Sequence, residues 1–457
     1  MIRKLIRWLD NRLGTAPFIR SALNKAFPDH WSFMLGEIAL YCLMILIGTG
    51  VFLTMFYDSS TDKVMYDGPY PSLHGTVVSK AYESILRLCF EVRGGLLIRQ
   101  VHHWAAVVFL AAIAVHMCRV FFTGAFRKPR EINWMVGVSL LILSILAGFT
   151  GYSLPDDLPS GIGLHIGYSI LLSVPFIGSW AAFLLWGGAF PGDGFLGRLL
   201  SIHILLIPGL IVAALALHLA ILWHQKHTQF RGPGRTETNV VGSALWPRYA
   251  LKSLGLLFLV SATLVLLGGF FQINPVWQYG PFDPSVGTSP TQPDWYMGWL
   301  DGVLRLAPNW ELHAGGHTIA EPFVPLVVLP AVIFAVIFAW PFIERAITRD
   351  CTAHNLLDHP RDAPARTAAG VAVLTFLILL QIGGGGDVVS TFLHVPLEGL
   401  NAVLRVLCVV LPVLTGFTAY RFMLDLSRRD VHAAADPRWV TLRRTQSGGF
   451  DEIGQPK

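Results

Sequence analysis

Charged residues are scarce in this chain. Only 14% of its 457 residues are Asp, Glu, Lys or Arg, whereas a soluble domain carries about 25%. Hydrophobic residues make up 53% of the sequence. A helix needs about 20 apolar residues to cross a bilayer, and eight runs approach or exceed that length: 34–56, 100–122, 134–154, 202–223, 251–271, 322–343, 367–382 and 400–423. We therefore predict an all-α integral membrane protein with eight transmembrane helices.

Cysteine is also rare, and what there is has no pattern. The five cysteines are scattered, and none belongs to a CxxC or CxxCH motif. Their spacing therefore gives no indication of a disulfide framework, of a zinc finger or of covalently attached haem.

Positive charge is divided unequally between the two sides of the predicted membrane. Of the 34 Lys and Arg residues, 26 fall on the side that carries both termini. Because cytoplasmic loops carry an excess of Lys and Arg, we expect the N and C termini to be cytoplasmic. The net charge of +5 then reflects the orientation of the chain in the membrane. We therefore expect no nucleic acid as a partner.

One further apolar segment, residues 168–190, is long enough to span but is interrupted. Pro175 and the pair Gly187 and Gly188 divide it into short pieces, and both residue types break helices. Counting it as a span would also place a basic loop outside. We predict instead a helical hairpin on the outer surface, within residues 157–190.

Four histidines lie inside two of the apolar runs. His102 and His116 are fourteen residues apart in the second run, and His203 and His218 are fifteen apart in the fourth. On a helix these intervals correspond to about 21 and 22 Å along nearly one face. Two such helices side by side would give two bis-histidine sites at different depths, which suits electron-transfer haem.

Two alternative roles compete with haem ligation for these histidines. A single intramembrane histidine is commonly a hydrogen-bonded contact between helices, but the matched rise of two pairs favours ligands. Zinc needs its ligands within a few ångströms of one another, which the separation along each helix forbids.

Glycines repeat at the same interval as the first histidine pair. Gly36 and Gly50 lie fourteen residues apart in the first run, as do Gly137 and Gly151 in the third. Glycine leaves room where a bulky group approaches the backbone, so we predict that haem edges lie there. Ordinary packing of small residues is the alternative for either pair alone.

Three arginines flank the histidines: Arg99, Arg119 and Arg198. Arginine binds carboxylates bidentately, so each is a candidate partner of a haem propionate, or otherwise an anchor at the membrane interface. His103 points about 100° away from His102. Helical phase therefore selects His102 as the ligand and directs His103 to packing or the outer surface.

Two further motifs carry a resemblance to a known family. GYSLPDDLPSG (151–161) follows the third run, and PDWY (293–296) precedes the sixth. Together with the histidines, they resemble cytochrome b of the quinol:cytochrome c reductase (cytochrome bc) complexes. The Asp of PDWY, the segment 354–370 and the fifteen-residue histidine gap resemble the actinobacterial, menaquinol-oxidising branch.

The resemblance implies two non-covalent b-type haems with bis-histidine ligation. His102 and His203 would hold the outer haem, and His116 and His218 the inner one. Quinol would be oxidised at an outer site, with one electron going to an iron–sulfur partner and the other crossing the haems to an inner quinone site. The reaction would contribute to a proton gradient.

The resemblance also implies partners and a location. It implies a Rieske iron–sulfur subunit, a cytochrome c subunit with two haems, a terminal oxidase in a supercomplex and a homodimer of the complex. The location would be the bacterial cell membrane.

At the outer site, Asp294, Tyr296 and Tyr152 are the catalytic candidates. Quinol oxidation releases protons and needs a base within hydrogen-bond reach, which Asp294 would supply. The same Asp also suits the N-cap of a helix. Asp156 and Asp157 are turn residues or members of a proton path, and His317 is either a proton acceptor or a surface histidine.

The inner site is less clearly marked. The family places a histidine soon after the second ligand of the fourth span and an acid at the start of the fifth. Here His224 and His227 follow His218 by six and nine residues, and Ser253, beside Lys252, stands where the acid is expected. We take His224 as the candidate.

Two other functions fit part of the pattern. A dihaem anchor of another quinone-linked dehydrogenase would share the histidines but would have one quinone site and fewer spans. A proton-coupled transporter would show internal repeats, and no repeat is evident.

The predicted organisation has four parts. An amphipathic cytoplasmic segment (1–33) precedes a dihaem-binding four-helix bundle (34–250) formed by spans one to four. A four-helix region (251–425) carries the PDWY loop, and a cytoplasmic tail follows (426–457).

Overall fold

The computed structural model describes residues 2–192, 194–289, 291–314, 317–435, 441–445 and 449–453. Within them, eight helices are long and apolar enough to cross a membrane, which confirms the predicted number. We call them spans 1 to 8: Trp31–Thr54, Gly95–Phe122, Glu131–Tyr152, Phe195–Gln225, Leu245–Phe270, Val324–Thr348, Pro364–Gly384 and Leu397–Arg429. The last helix continues beyond span 8 to Ala435.

In the described ranges, shorter helices and strands precede, connect and follow the spans. The helices are Ile2–Leu13, Ala16–Leu23, Lys80–Phe90, Leu158–Leu172, Gly178–Trp186, Val276–Tyr279, Trp295–Leu306 and Gly386–Leu393, with 3₁₀ turns at Pro71–Leu73 and Pro360–Asp362. Four antiparallel strand pairs are Ala26–Phe27 with Ser243–Ala244, Lys63–Met65 with Val77–Ser79, Leu312–Ala314 with His317–Ile319, and Thr441–Arg444 with Phe450–Ile453. Gln229–Phe230 pairs in parallel with Leu356–Leu357.

The apolar segment 168–190 does not form a ninth long helix. Helix Leu158–Leu172 ends before Pro175, and helix Gly178–Trp186 ends where Gly187 adopts a left-handed conformation with φ of 78°. Proline and left-handed glycine are common helix terminators. The segment is therefore the pair of short helices that the sequence predicts.

The eight spans define two faces of the molecule. We call the face where span 1 begins the terminal face, and the opposite face, which carries the long connections, the loop face. One hydrophobic core joins spans 1, 2, 4 and 5, with Cys42, Ala105, Ile211 and Leu264 at its centre. A second core joins spans 6, 7 and 8 to helix Trp295–Leu306.

Backbone contact fixes helix Trp295–Leu306 against span 7. A Cβ on Gly302 would lie 1.7 Å from the carbonyl oxygen of Leu380, and one on Gly384 would lie 2.0 Å from that of Gly298. No side chain fits between backbones this close. These glycines therefore set the position of the PDWY motif, which lies at the start of the same helix.

A buried ion cluster links the two halves of the molecule at the terminal face. Arg366 at the start of span 7 pairs with Glu344 of span 6 at 2.5 Å and with Asp358 at 3.1 Å. Asp358 also pairs with Arg127, from the connection between spans 2 and 3, at 3.0 Å. Because each buried charge has an opposite partner, the cluster meets the condition under which buried ions are tolerated.

We predict that Gly302→Ala destabilises the protein by about 1–3 kcal/mol, the usual cost of overpacking. Gly255→Ala is the matched control, since Gly255 is also helical but has no neighbour within 4 Å of the added Cβ. Thermal unfolding followed by circular dichroism measures the difference. Equal midpoints for the two variants would contradict the close approach.

Candidate functional site

The four intramembrane histidines face each other in two pairs. His102 on span 2 interacts electrostatically with His203 on span 4, and His116 interacts in the same way with His218. The first pair lies toward the loop face and the second toward the terminal face. The structure therefore brings together the ligand sets that the sequence predicts, one from each of the same two helices.

Each predicted glycine lies opposite one of these histidines. A Cβ on Gly50 would lie 3.4 Å from His102, and a Cβ on Gly151 would lie 2.5 Å from His203. The equivalent distances are 3.3 Å from Gly36 to His116 and 3.7 Å from Gly137 to His218. Each glycine thus leaves room for an imidazole ring, and the haem edges expected there stay a prediction.

Two threonines orient the histidines nearer the loop face. The Oγ1 of Thr49 is 2.8 Å from Nδ1 of His102, and the Oγ1 of Thr150 is 3.1 Å from Nδ1 of His203. Each hydroxyl also donates to a carbonyl of its own helix, at 2.6 Å for Thr49 and 2.9 Å for Thr150.

These contacts decide which ring nitrogen is free. Because each hydroxyl hydrogen is already used, the Nδ1–H of each imidazole is the donor, and Nε2 keeps a free lone pair. Metal-bound histidines are held in this way by a partner of the other nitrogen.

A π-helical turn accounts for the unequal spacing of the histidines. Residues Ile202–Leu206 form such a turn around His203. A π turn holds more residues than an α turn, so it absorbs the extra residue between His203 and His218. The angle around the helix between His203 and His218 is consequently nearly the same as the angle between His102 and His116.

The second histidine pair lines a cavity of about 380 Å³. Gly36, Gly137 and Arg119 line it as well. The guanidinium of Arg119 lies over the ring of Phe33, at 4.8 Å from the centroid, and its buried Nε has no partner in the described part of the chain.

Arg99 has the same incomplete pairing near the first histidine pair. Its Nη2 donates to the carbonyl of Asn274 at 3.0 Å, and its buried Nη1 has no partner among the described residues. A buried guanidinium with unused donors favours an anion. Arg198 is placed differently: it is exposed and its Nη1 reaches the carbonyl of Leu184, on the surface hairpin, at 3.5 Å.

The arrangement fits two haems with bis-histidine ligation. The chain supplies two pairs of imidazoles, backbone notches opposite each ring, and two arginines that each have a buried nitrogen without a partner among the described residues. No group of three or more His, Cys, Asp or Glu residues in the described ranges could hold a metal ion. A tetrapyrrole supplies four ligands of its own, so two imidazoles complete the coordination.

Asp294 forms a polar cluster with His103 and Tyr296 near the loop face. The Nε2–H of His103 donates to both carboxylate oxygens, at 2.9 and 3.0 Å, and the Tyr296 hydroxyl donates to Oδ2 at 2.9 Å. The side chains of His103 and Asp294 are each 13% exposed. We call these three residues the Asp294 cluster.

The cluster corrects two expectations. Asp294 occupies the N-cap position of helix Trp295–Leu306, but its side chain makes no capping bond. His103 does not simply face packing or the outer surface, because it binds this carboxylate. The contact is not predictable from the sequence, because the two residues are 191 positions apart and nothing in either motif indicates which helices are neighbours.

Tyr152 and Asp157 lie beside the Asp294 cluster. Tyr152, at the end of span 3, interacts electrostatically with both Asp157 and Asp294. Asp157 is buried and caps helix Leu158–Leu172 by accepting from the backbone N–H of Ser160 at 3.1 Å. Burial raises the pKa of its carboxyl to about 6. Asp157 thus caps a helix close to the candidate quinol site.

Of two further candidates, His317 is only partly described and His224 lies away from these clusters. His317 is in the second strand of the hairpin with Leu312–Ala314, and its side chain lies outside the described part. His224 is exposed at the end of span 4.

His227, rather than His224, reaches the cavity of the second histidine pair. Its ring lies 4.5 Å from that of Phe27, and its buried Nδ1 has no partner among the described residues. Burial lowers its pKa to about 4. Sequence distance from His218 favoured His224, but the chain leaves the helix after Gln225 and turns His227 inward.

Comparison with known proteins agrees with this geometry. A family model described as cytochrome b (N-terminal)/b6/petB matches residues 107–281. The cytochrome bc1 complex cytochrome b subunit of Streptomyces coelicolor is 48% identical over 451 residues, which is 98% of this chain and 83% of the relative. The subunit of the same name from Mycobacterium leprae is 47% identical over 451 residues, 98% of this chain and 82% of the relative.

A solved structure shares the fold. A chain of the structure titled "Hyperthermophilic respiratory Complex III" superposes with a TM-score of 0.68, over 91% of this chain and 99% of that one, at 21% identity. The fold defines a multi-pass membrane protein. The identity to the curated relatives goes further: the chain belongs to the family of cytochrome b subunits of cytochrome bc1 complexes.

We predict that Thr49→Val weakens binding of the haem nearer the loop face by about 10–100-fold, the usual effect of losing a hydrogen-bond partner of a metal-bound histidine. Haem retention after dilution, measured by absorbance, reports the change. Thr54→Val is the control, because Thr54 is exposed and its hydroxyl reaches only a carbonyl of its own helix. Equal retention in the two variants would contradict an orienting role for Thr49.

Proposed function

We propose that this chain is the haem-b subunit of a respiratory menaquinol:cytochrome c oxidoreductase. The observation that carries the proposal is the geometry of spans 2 and 4, which hold two facing histidine pairs at different depths. The Asp294 cluster lies near one end of this path, and the cavity lined by Arg119 and His227 lies at the other, as a protein that oxidises quinol on one side and reduces quinone on the other requires.

The four histidines have assigned roles in this proposal. His102 and His203 would hold one b-type haem near the loop face, and His116 and His218 would hold the other. Arg99 and Arg119 would pair with propionates through their free nitrogens. When bound, the haems supply one-electron carriers between the two faces of the membrane.

The Asp294 cluster would receive protons from quinol. A carboxylate within hydrogen-bond reach of the quinol hydroxyl acts as a general base, and Asp294 is held in position by bonds from His103 and Tyr296. Tyr152 would orient the substrate or the carboxylate from the end of span 3. One electron of the quinol would pass to an iron–sulfur partner and the other into this chain.

Topology and partners follow from the family and the charge distribution. We place both termini in the cytoplasm and the loop face outside the bacterial cell membrane. The Rieske iron–sulfur subunit and a cytochrome c subunit with two haems would dock there. The complex would be a homodimer and would associate with a terminal oxidase.

A dihaem anchor of another dehydrogenase explains less. Such an anchor needs one quinone site, whereas here the Asp294 cluster lies near one end of the histidine path and the cavity lined by Arg119 and His227 lies at the other. The PDWY helix, fixed by backbone contact with span 7, also has no role in an anchor.

We predict that Asp294→Asn lowers quinol oxidation by the assembled complex by about 100-fold or more, the range for loss of a general base. The b-haem spectrum should be unchanged, because Asp294 contacts none of the four proposed ligands in the hydrogen-bond network. Steady-state reduction of cytochrome c with a menaquinol analogue measures the effect.

Asp283→Asn is the control for this experiment, since Asp283 lies on the same face in an exposed loop and binds Ser285. Near wild-type turnover in Asp294→Asn, with the spectrum intact, would contradict the assignment of the base.

A further inference from the structure

Glu37 is the one acidic residue of span 1, and it lies in the first turn of that helix's α-helical part. Three hydroxyls converge on its carboxylate. Ser253 donates to Oε2 at 2.6 Å, Tyr249 donates to Oε1, and Tyr41 lies 3.4 Å from Oε2. We call these four residues the Glu37 cluster. An acid within an apolar span is expensive and is commonly functional.

The Glu37 cluster borders the second histidine pair. Glu37, Tyr41, Tyr249 and Ser253 line the same cavity as His116 and its partner on span 4. This end of the cavity lies at the terminal face, where span 1 begins and span 5 begins. The cluster therefore lies at the end of the proposed electron path opposite to Asp294.

The acid comes from an unexpected helix. The family resemblance places an acid at the start of span 5, where this chain has Ser253. The hydroxyl of Ser253 binds the carboxylate of Glu37, which is 216 positions away in the sequence. A carboxylate therefore occupies this place in space, but span 1 supplies it.

We propose that Glu37 is the proton donor of the inner quinone site, in place of the acid missing from span 5. The proposal rests on the proposed function. Reduction of one quinone takes two electrons and two protons, and gives quinol. The electrons come from two quinol molecules oxidised in succession at the Asp294 cluster. Glu37 gives one proton to a quinone oxygen after each electron and recovers it from water at the terminal face.

The surroundings of Glu37 hold its carboxylate in place and link it to the terminal face. Tyr249 and Ser253 both donate hydrogen bonds to this carboxylate. His227 and Tyr249 both pack on Phe27, at ring distances of 4.5 and 4.4 Å. These residues connect the cluster to the terminal face, where Asp29 and Lys252 form an exposed ion pair.

The test uses the assembled complex and follows the b haems by stopped-flow absorbance. In Glu37→Gln, reduction of the haems by quinol should keep its wild-type rate, because that electron enters at the Asp294 cluster. Reoxidation of the haems by quinone at the inner site should slow by about 100-fold or more. Glu131→Gln is the control, since Glu131 lies in the first turn of span 3 on the same face.

A second variant moves the acid instead of removing it. The double variant Glu37→Gln with Ser253→Asp places a carboxylate where span 5 would carry it and should restore much of the reoxidation rate. A purely structural role for Glu37 predicts no such recovery. Wild-type reoxidation in Glu37→Gln would overturn the proposal, and so would failure of the double variant to improve on it.

A measurement on the wild-type complex covers the case in which Glu37→Gln does not assemble. Infrared difference spectra between oxidised and reduced inner quinone should contain a carboxyl band that shifts when glutamate is labelled with ¹³C. Absence of any glutamate band would overturn the proposal. A wild-type complex whose haems are not reduced by quinol at all would instead contradict the proposed function.

Discussion

The structure depends on holding two pairs of neutral imidazoles face to face between spans 2 and 4. In a low-dielectric interior, each ring needs a partner for one nitrogen and leaves the other for a ligand bond. Thr49 and Thr150 meet this need near the loop face, because their own hydroxyl hydrogens are already committed. The orientation of the pair nearer the loop face, and with it the proposed electron transfer through that pair, rests on these contacts.

The same arrangement occurs twice in the bundle. Thr49 and Gly50 on span 1 lie against His102, and Thr150 and Gly151 on span 3 lie against His203 in the same way. In both cases the threonine and the histidine are 53 positions apart. Spans 1 and 2 thus form one half of the site, and spans 3 and 4 form the other half. The π turn around His203 shows how one extra residue is accommodated while the ligand spacing is kept.

Patterns within one helix were predictable from the sequence. The eight spans, the broken apolar segment near Pro175 and the matched spacing of histidines and glycines all follow from length, composition and helical phase. Helical phase also predicts that His103 points in a different direction from His102. In the structure, His103 points toward the start of helix Trp295–Leu306, where it binds Asp294.

Contacts between distant helices were not predictable in the same way. The bond from His103 to Asp294 and the bond from Ser253 to Glu37 depend on which helices are neighbours, which no local pattern states. Arg198 is close to His203 in sequence, but its side chain is exposed and contacts the hairpin, which local sequence does not indicate. A lone acid in an apolar span, such as Glu37 in span 1, is nevertheless a signal of function that the sequence carries.

The most direct test of the central claim is the haem content of two neighbouring histidine variants in the assembled complex. Reduced-minus-oxidised spectra with pyridine haemochrome quantification count the b haems per chain. We expect that His102→Ala loses the haem nearer the loop face and keeps the other, whereas His103→Ala keeps both and loses quinol oxidation. Loss of a haem in His103→Ala with both retained in His102→Ala would contradict it.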